Sequence, residues 1–447
     1  MNVAVLGMWH LGAVTAACCA AAGHTVVGID HEADTISALQ SGHPPVAEPG
    51  LDVLLAEQIA AGRLTFTTDL ARVAGADVLW VTYDTPVDAD DRADVAVVLR
   101  RVEAAFPYLP SGILVISSSQ LPAGSVHELE TSWARVSNGR RAHFAASPEN
   151  LRLGRAIEVF TQPDRVVIGV RDHDGRARAQ ELFAPITDRI EWMSVESAEM
   201  TKHAVNAFLA TSVTFINELA AICERVGADA QEVERGLRTE RRIGPHAYLS
   251  PGGAFAGGTL ARDVMFLREL GSRVSRATPL MDGVLTSNTE HRGWTRRRLE
   301  SELGGVANRT VAVWGLTYKP GTDTLRRSTA VELCAWLVSA GAQVRAHDPS
   351  AGPLPPELNA VYRAASPLDA VAGADALVVA TEWPEYRQVP VGGVVTAMTA
   401  PLVVDANRFA GRTLGADPRV RLLSVGQPSV GSSRREPLDR VRDDPFT

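Results

Sequence analysis

Lysine is nearly absent from this chain. Of 44 basic residues only Lys202 and Lys319 are lysine, and all the others are arginine. The bias is compositional in origin. Arginine cannot replace lysine, however, where a compact or titratable amine is required, so both survivors are candidate functional residues. Cysteine is also scarce. Cys18, Cys19, Cys223 and Cys334 show no C-x-x-C or metal-ligand spacing, which excludes a zinc framework and gives no reason to expect a metal. They read as small buried hydrophobes in a reducing, cytoplasmic compartment. No run of 18 or more apolar residues appears, so no membrane partner is expected. Residues 1–5 enter a strand-like run with no basic segment before it, so no signal peptide is expected either. Positive charge is in deficit, with a net charge of -8, which argues against nucleic acid or an anionic lipid surface as the main partner. What is present is 447 residues, 45% hydrophobic, enough for two or three domains with ample cores.

The first thirty residues carry a pattern. Residues 3–6 form a short apolar run, and Gly7-Met8-Trp9-His10-Leu11-Gly12 follows as a glycine turn. A small-residue helix over 13–22 stops at Gly23, and a second apolar run ends in Asp30. Strand, glycine turn, helix, strand and acid form the first unit of a dinucleotide-binding fold. Glycines let the turn bring backbone N–H groups and a helix N-terminus onto a pyrophosphate. Asp30 would accept from an adenosine ribose and repel a 2′-phosphate, favouring NAD over NADP. Trp9 stands where the second glycine of G-x-G-x-x-G would be. Gly7, Trp9, His10, Leu11, Gly12 and Asp30 are the candidate cofactor residues of this turn.

More strand and helix alternation follows. Apolar runs at 78–81, 113–116 and 165–170, separated by helical patterns near 51–61, 94–105 and 175–183, predict a doubly wound parallel sheet. Residues 195–226 carry apolar positions at helical spacing and predict one long helix ending at Gly227. No convincing strand follows until 310–315, where a run enters a second glycine turn at Gly315. A helix over 330–340, a strand ending in Asp348, and runs at 376–380 and 402–405 complete a second α/β unit. The expected class is therefore α/β, with two Rossmann-like doubly wound domains joined by an all-α domain. The expected boundaries are 1–193 for NAD, 194–304 for the helical, dimerising part and 305–415 for a nucleotide sugar. Residues 416–447 are expected to form a poorly ordered tail.

Several further motifs stand in a fixed order. They include the 45–51 segment PVAEPGL, the Thr85-Pro86 step, 147–152 as SPENLR and 163–169 as PDRVVIG. Met200-Thr201-Lys202 with Asn206, 215–218 as FINE and Arg242-Ile243-Gly244 follow. Later come 315–320 as GLTYKP, Thr322-Asp323, and Thr381-Glu382-Trp383. Over about residues 1–415 the chain resembles the UDP-glucose/GDP-mannose dehydrogenase family. The resemblance implies an NAD-dependent enzyme that oxidises a hydroxyl of a nucleotide sugar, most readily a UDP-sugar, and that pairs as a homodimer through the long helix. Members carry the C6 hydroxymethyl group to a carboxylate, using two NAD and one cysteine: the cysteine captures the aldehyde, a second hydride leaves to give a thioester, and water releases the acid. By resemblance, Thr85, Pro86, Gln120 and Arg326 join the cofactor set. Asn150, Leu151, Arg152, Lys202, Asn206, Arg242, Tyr248, Gly252, Phe255, Gly257, Lys319 and Arg408 join the substrate set, with Arg408 displaced by one position from the family arginine.

The departures are concentrated. The resemblance implies a cysteine in a Gly-Gly-x-Cys-x-x-Lys-Asp segment, and this chain aligns Thr259 with the cysteine and Arg262 with the lysine. Gln120 takes the place of a family threonine, and Leu153 that of a glutamate. Nucleophile, water positioning and base all serve the covalent, hydrolytic half of the reaction. Glu149, Lys202, Asn206 and Asp263 are retained, and with Thr259 they form the candidate catalytic set. Lys202 and Asn206, at i and i+4, would project from one helix face and hold an alcohol or a developing oxyanion, with Asp263 tuning the amine or holding a water. This pattern suits removal of one hydride, or oxidation at a position other than C6. Oxidation to a uronic acid, and a non-catalytic homologue that binds nucleotide sugar and NAD, are the alternatives.

Overall fold

Short apolar runs ending in glycine turns become the strands of two sheets. The computed structural model describes residues 1–86, 93–149, 151–256 and 258–428. The first sheet contains β1 (Asn2–Leu6), β2 (Thr25–Ile29), β3 (Leu64–Thr67), β4 (Val78–Val81), β5 (Ile113–Ser117), β6 (Ala142–Ala146), β7 (Val166–Val170) and β8 (Ile190–Met193). The second contains β9 (Thr310–Trp314), β10 (Gln343–His347), β11 (Tyr362–Arg363), β12 (Ala376–Val379), β13 (Leu402–Val404) and β14 (Arg421–Leu423). Their orders are β3-β2-β1-β4-β5-β6-β7-β8 and β11-β10-β9-β12-β13-β14. Each therefore reverses direction at one point, between β1 and β4 or between β9 and β12, where a doubly wound sheet opens a crevice.

Alternation of side chains along each strand gives both sheets two cores. In β1, Val3 and Val5 join one apolar cluster while Ala4 and Leu6 join the other. In β9, Val311 and Val313 face one side, Ala312 and Trp314 the other. The sheet expected to be parallel throughout is not: β7 runs antiparallel to β6, with Ala146 opposite Gly169, and β8 is parallel to β7. Apolar runs report burial on both faces but not strand direction. Composition also placed the tail too early. Residues 421–423 form β14 against β13, with Leu423 buried; the rest of the expected tail, from 429, lies outside the described residues.

The chain folds as two compact units. One is Met1–Asn206 with Met265–Arg276; the other is Ala207–Val264 with the described residues from Ala277 onward. The long helix, Val195–Val226, is a single element as expected. It is the one described helix long and apolar enough to cross a membrane by length and composition. It serves instead as a core helix: Val195 and Ala198 join a core of the first unit, Ala220 and Cys223 a core of the second.

Candidate active site

The glycine turn after β1 is shaped by contact with backbone. Gly7 has φ +101°, and a Cβ there would lie 2.6 Å from the Tyr83 ring and 2.8 Å from the Tyr83 Cα. The first helix, His10–Ala21, passes so close beneath that a Cβ on Gly12 would lie 1.8 Å from the Gly7 carbonyl oxygen. Thr82 Oγ1 donates to that same oxygen at 2.8 Å. Trp9 occupies the N-cap, half exposed, and no side chain caps the helix. Its first N–H groups therefore stay available to an anion. At the end of β2, Asp30 accepts from the Met8 amide (2.6 Å) and the Glu32 amide (3.1 Å), with His31 Nδ1 at 2.8 Å. A carboxylate has about four lone-pair sites, so one is left for a ribose hydroxyl. These groups fit NAD: open helix amides for the pyrophosphate, a glycine floor, and an acid at the ribose position. His10 plays a different part. Its Nε2 lies 2.9 Å from the Glu48 carboxylate, which also accepts from the Gly154 and Ala156 amides and so pins the 154–156 loop. Burial opposes ionisation of Glu48, but those hydrogen bonds outweigh it and hold the carboxyl below its usual range.

Lys202 sits farther along the same unit. Its side chain is 11% exposed, and Nζ donates to the Glu149 carbonyl at 2.6 Å and to the Glu149 carboxylate at 3.3 Å. Glu149 is held in turn by the Leu151 amide at 2.6 Å. Thr85 Oγ1 donates to the Gln120 carbonyl at 2.7 Å, tying the loops after β4 and β5 together. Glu199, one turn before Lys202, was not singled out in the sequence. It accepts from the Gly124 and Val126 amides at 2.7 and 2.9 Å, and burial pushes it above the usual carboxylate range despite them. Its only signal was the i, i+3 spacing to Lys202. Asn206 is buried, Pro86 and Arg152 are exposed, and Asn150 lies outside the described residues.

The second unit repeats the first unit's turn with its entrance closed. Gly315 has φ +92° and Asp348 directly follows β10. Here, however, Asp348 accepts from the Leu316 and Thr317 amides, the Thr317 hydroxyl, the Trp383 indole, and the Ser350 and Ala351 amides. Burial works against its ionisation, yet these donors hold its carboxyl below the usual range and leave no lone pair for a ribose. The following helix, Thr329–Ser339, is capped by the Ser328 hydroxyl, which accepts from the Ala330 and Val331 amides. A dinucleotide therefore has its fittings in the first unit only. What the second unit offers is a crevice of about 570 Å³, its wall including Tyr318, Lys319, His291, Trp294, Ala380 and Asn407.

One wall of this crevice, residues 252–256, is fixed by side chains from distant elements. Asn217 of the long helix accepts from the Gly252 amide at 3.0 Å, and Asn407 accepts from the Gly253 amide at 2.6 Å. The helix Pro279–Arg292 contributes two residues one turn apart. Asn288 holds both backbone groups of Phe255, and His291 Nε2 meets the Gly252 carbonyl at 2.8 Å. Burial pushes the His291 pKa down, with the Gly252 carbonyl opposing. The neutral ring can still donate through Nε2. A Cβ on Gly252 would lie 2.4 Å from the Asn407 amide oxygen. Asn288 and His291 had no signal beyond their spacing.

The remaining candidates scatter. Thr259 opens the helix Thr259–Arg273, in which Asp263 is fully buried. Tyr248 is exposed, Arg242 is exposed and paired with Glu240, and Arg326 lies on the surface. Arg408 points its guanidinium at Asp229 and the Val425 carbonyl. Gly257 lies outside the described residues.

Two acids behind Asn407 make stability pH-dependent. Burial raises Asp405 from 3.8 to about 6, with Glu382 adding like charge; burial also raises Glu382. Both bind protons more tightly folded than unfolded. Their contribution is therefore most favourable below pH 4 and is lost as pH rises through about 6. Glu382→Gln keeps an acceptor for Asn407 and removes one charge. We expect its melting temperature at pH 7.5 to rise by about 2–4 °C, with no gain at pH 4, by calorimetry. An equal gain at both values would exclude the electrostatic cause.

Residues 1–187 match the NAD binding domain of the UDP-glucose/GDP-mannose dehydrogenase family, residues 196–290 its central domain and residues 312–412 its UDP binding domain. UDP-glucose 6-dehydrogenase of Pseudomonas aeruginosa is 35% identical, covering 96% of this chain and 98% of its own. That of Rhizobium meliloti is 35% identical, covering 96% and 100%. Among solved structures, a UDP-glucose dehydrogenase from Pyrobaculum islandicum superposes with TM-score 0.83 at 29% identity, covering 96% of this chain and 98% of its own.

Proposed function

The chain belongs to the UDP-glucose/GDP-mannose dehydrogenase family, and we propose that within it the enzyme removes a single hydride from a nucleotide-sugar hydroxyl without a covalent thioester. It is an NAD-dependent oxidoreductase acting on a CH–OH group. The observation that carries the finer reading is the state of its thiols. All four cysteines are free and buried, none stands at 259, and burial pushes Cys18 and Cys334 up to about 12 and Cys19 well above its ordinary value. Burial raises Cys223 as well, so each of the four is held as the thiol and not as the thiolate, which is the attacking form of the residue. A threonine hydroxyl is far less acidic than a thiol, so Thr259 does not take over the role.

NAD, when bound, supplies the hydride acceptor, and Gly7, Gly12, the open amides of the first helix and Asp30 hold it. Asn206 orients the substrate hydroxyl. The Lys202 amine, held against Glu149, takes its proton and then faces the carbonyl oxygen as an ammonium. Residues 1–193 serve the dinucleotide. The sugar nucleotide, a UDP-sugar by preference, lies on the crevice of the second unit, where Lys319 supplies positive charge. A reducing, cytoplasmic setting suits four unpaired thiols.

Stoichiometry tests this reading. With a panel of UDP- and GDP-sugars we expect one NADH per sugar consumed and a product two mass units lighter. Two NADH and an added carboxylate would show the four-electron reaction instead, and binding without NADH would show a non-catalytic homologue.

The enzyme further pairs with a second copy through the long helix. Phe208, Phe215 and Ile222 recur every seven residues and are 69%, 47% and 56% exposed, with Val226 beyond them. Such a stripe is unusual on a monomer surface. A Phe208→Glu, Phe215→Glu chain should sediment as a monomer where the parent is a dimer, and a monomeric parent would remove the proposal.

A further inference from the structure

The loop after β5 carries two polar groups that the fold itself does not use. Residues 117–121 line, with Pro148, Glu149, Glu199 and Lys202, a cavity of about 20 Å³. That is room for one water-sized oxygen. Two residues of its wall each carry a buried side-chain atom with no hydrogen-bond partner, Ser119 Oγ and Gln120 Nε2. Neighbouring groups are engaged. Ser118 accepts from the Trp80 indole and donates to the Ser147 carbonyl, the Gln120 carbonyl accepts from Thr85, and Glu199 accepts from two amides. Buried polar groups left without partners destabilise a fold and are few in native proteins. Two at consecutive positions, lining an oxygen-sized space beside the Lys202 amine, mark a place prepared for an arriving group. Gln120 Nε2 and Lys202 Nζ are donors and the Ser119 hydroxyl can donate. The Glu149 and Glu199 carboxylates of the same lining already accept from Leu151, Lys202, Gly124 and Val126, so the group these residues suit is an acceptor.

We propose that Gln120 is a catalytic residue: its side-chain amide, with the Ser119 hydroxyl, donates to the substrate oxygen that becomes the carbonyl. This rests on the dehydrogenase reading above. The C–H bond breaks and its electron pair leaves with the hydrogen for NAD, the O–H proton passes to the Lys202 amine, and the oxygen gains its second bond to carbon. Negative charge on that oxygen is greatest while the proton has left and the double bond is incomplete. A donor already in place, with no other acceptor to give up, stabilises that moment most.

The test uses Gln120→Leu, which removes the donor, and Gln120→Glu, which keeps the shape but offers only acceptors at neutral pH. Both should lower kcat by about 100-fold or more, with the calorimetric Kd for NAD changed less than twofold. Because a partnerless donor is removed, Gln120→Leu should melt no lower than the parent. A loss of melting temperature with kcat kept would make Gln120 structural, and a raised Kd for NAD with kcat kept would make it a cofactor contact; either result overturns the proposal. A parent chain that makes NADH while both variants keep its kcat removes this assignment alone. A parent that makes none with any nucleotide sugar removes the dehydrogenase reading with it.

Discussion

Lys202→Arg is expected to lower kcat by about 1,000-fold while leaving the melting temperature within a few degrees of the parent. In a chain that uses arginine at almost every basic position this exchange looks mild, and the geometry says otherwise. Nζ reaches the Glu149 carbonyl at 2.6 Å and borders a space of about 20 Å³. A planar guanidinium is larger than an ammonium and cannot enter that space without displacing Glu149 or the loop after β5. Nor can it release a proton at any pH an enzyme survives, so it cannot receive one from the alcohol. The measurement is NADH absorbance with the preferred nucleotide sugar from pH 6 to pH 10. Rising pH should restore nothing, because the missing step is proton acceptance. An arginine variant with more than a tenth of the parent rate would reduce Lys202 to a fixed positive charge that either side chain supplies.

Gly12→Ala should abolish NAD binding and destabilise the first unit by about 3 kcal/mol or more. The added Cβ would sit 1.8 Å from the Gly7 oxygen and 2.9 Å from both the Gly7 carbonyl carbon and Thr82 Oγ1. Two of those three atoms are backbone, so no rotamer change relieves the collision. The turn must open, and the Thr82 hydrogen bonds to the Leu6 and Gly7 carbonyls break with it. Gly23→Ala is the control. Gly23 also has positive φ, at +98°, but a Cβ there meets nothing within 4 Å. It should cost about 1 kcal/mol, from backbone conformation alone, and keep NAD affinity by calorimetry. Equal losses in the two variants would mean that conformation, not close approach, explains Gly12.

Much of this was legible in the sequence because it is local. The run into Gly7, the helix to Gly23 and the strand to Asp30 are each set by neighbours, and the 195–226 periodicity fixes a helix wherever its faces pack. Lys202 stood out by rarity. What escaped was whatever depends on partners far along the chain. Asp348 looks like Asp30 in the sequence, and only the six donors gathered on it show that the second turn admits no dinucleotide. Asn288 and His291 hold residues 252–255 from more than thirty positions away. Arg408 falls one residue past the family position, and its partner Asp229 lies 179 residues earlier. The reversal at β7 escaped because burial has the same pattern in either strand direction.

The enclosed amine of Lys202 has a practical corollary. Side-chain amines occur at two places in the entire chain, one on the small cavity of the first unit and one on the broad crevice of the second. Reagents that acylate or reductively alkylate amines, ordinarily too indiscriminate to interpret, become, once the N-terminal amine is set aside, a two-address label on this protein. Lys319 on the open crevice should react early and Lys202 late. Protection of either by nucleotide sugar or NAD then gives a footprint of occupancy without a substitution or a turnover assay.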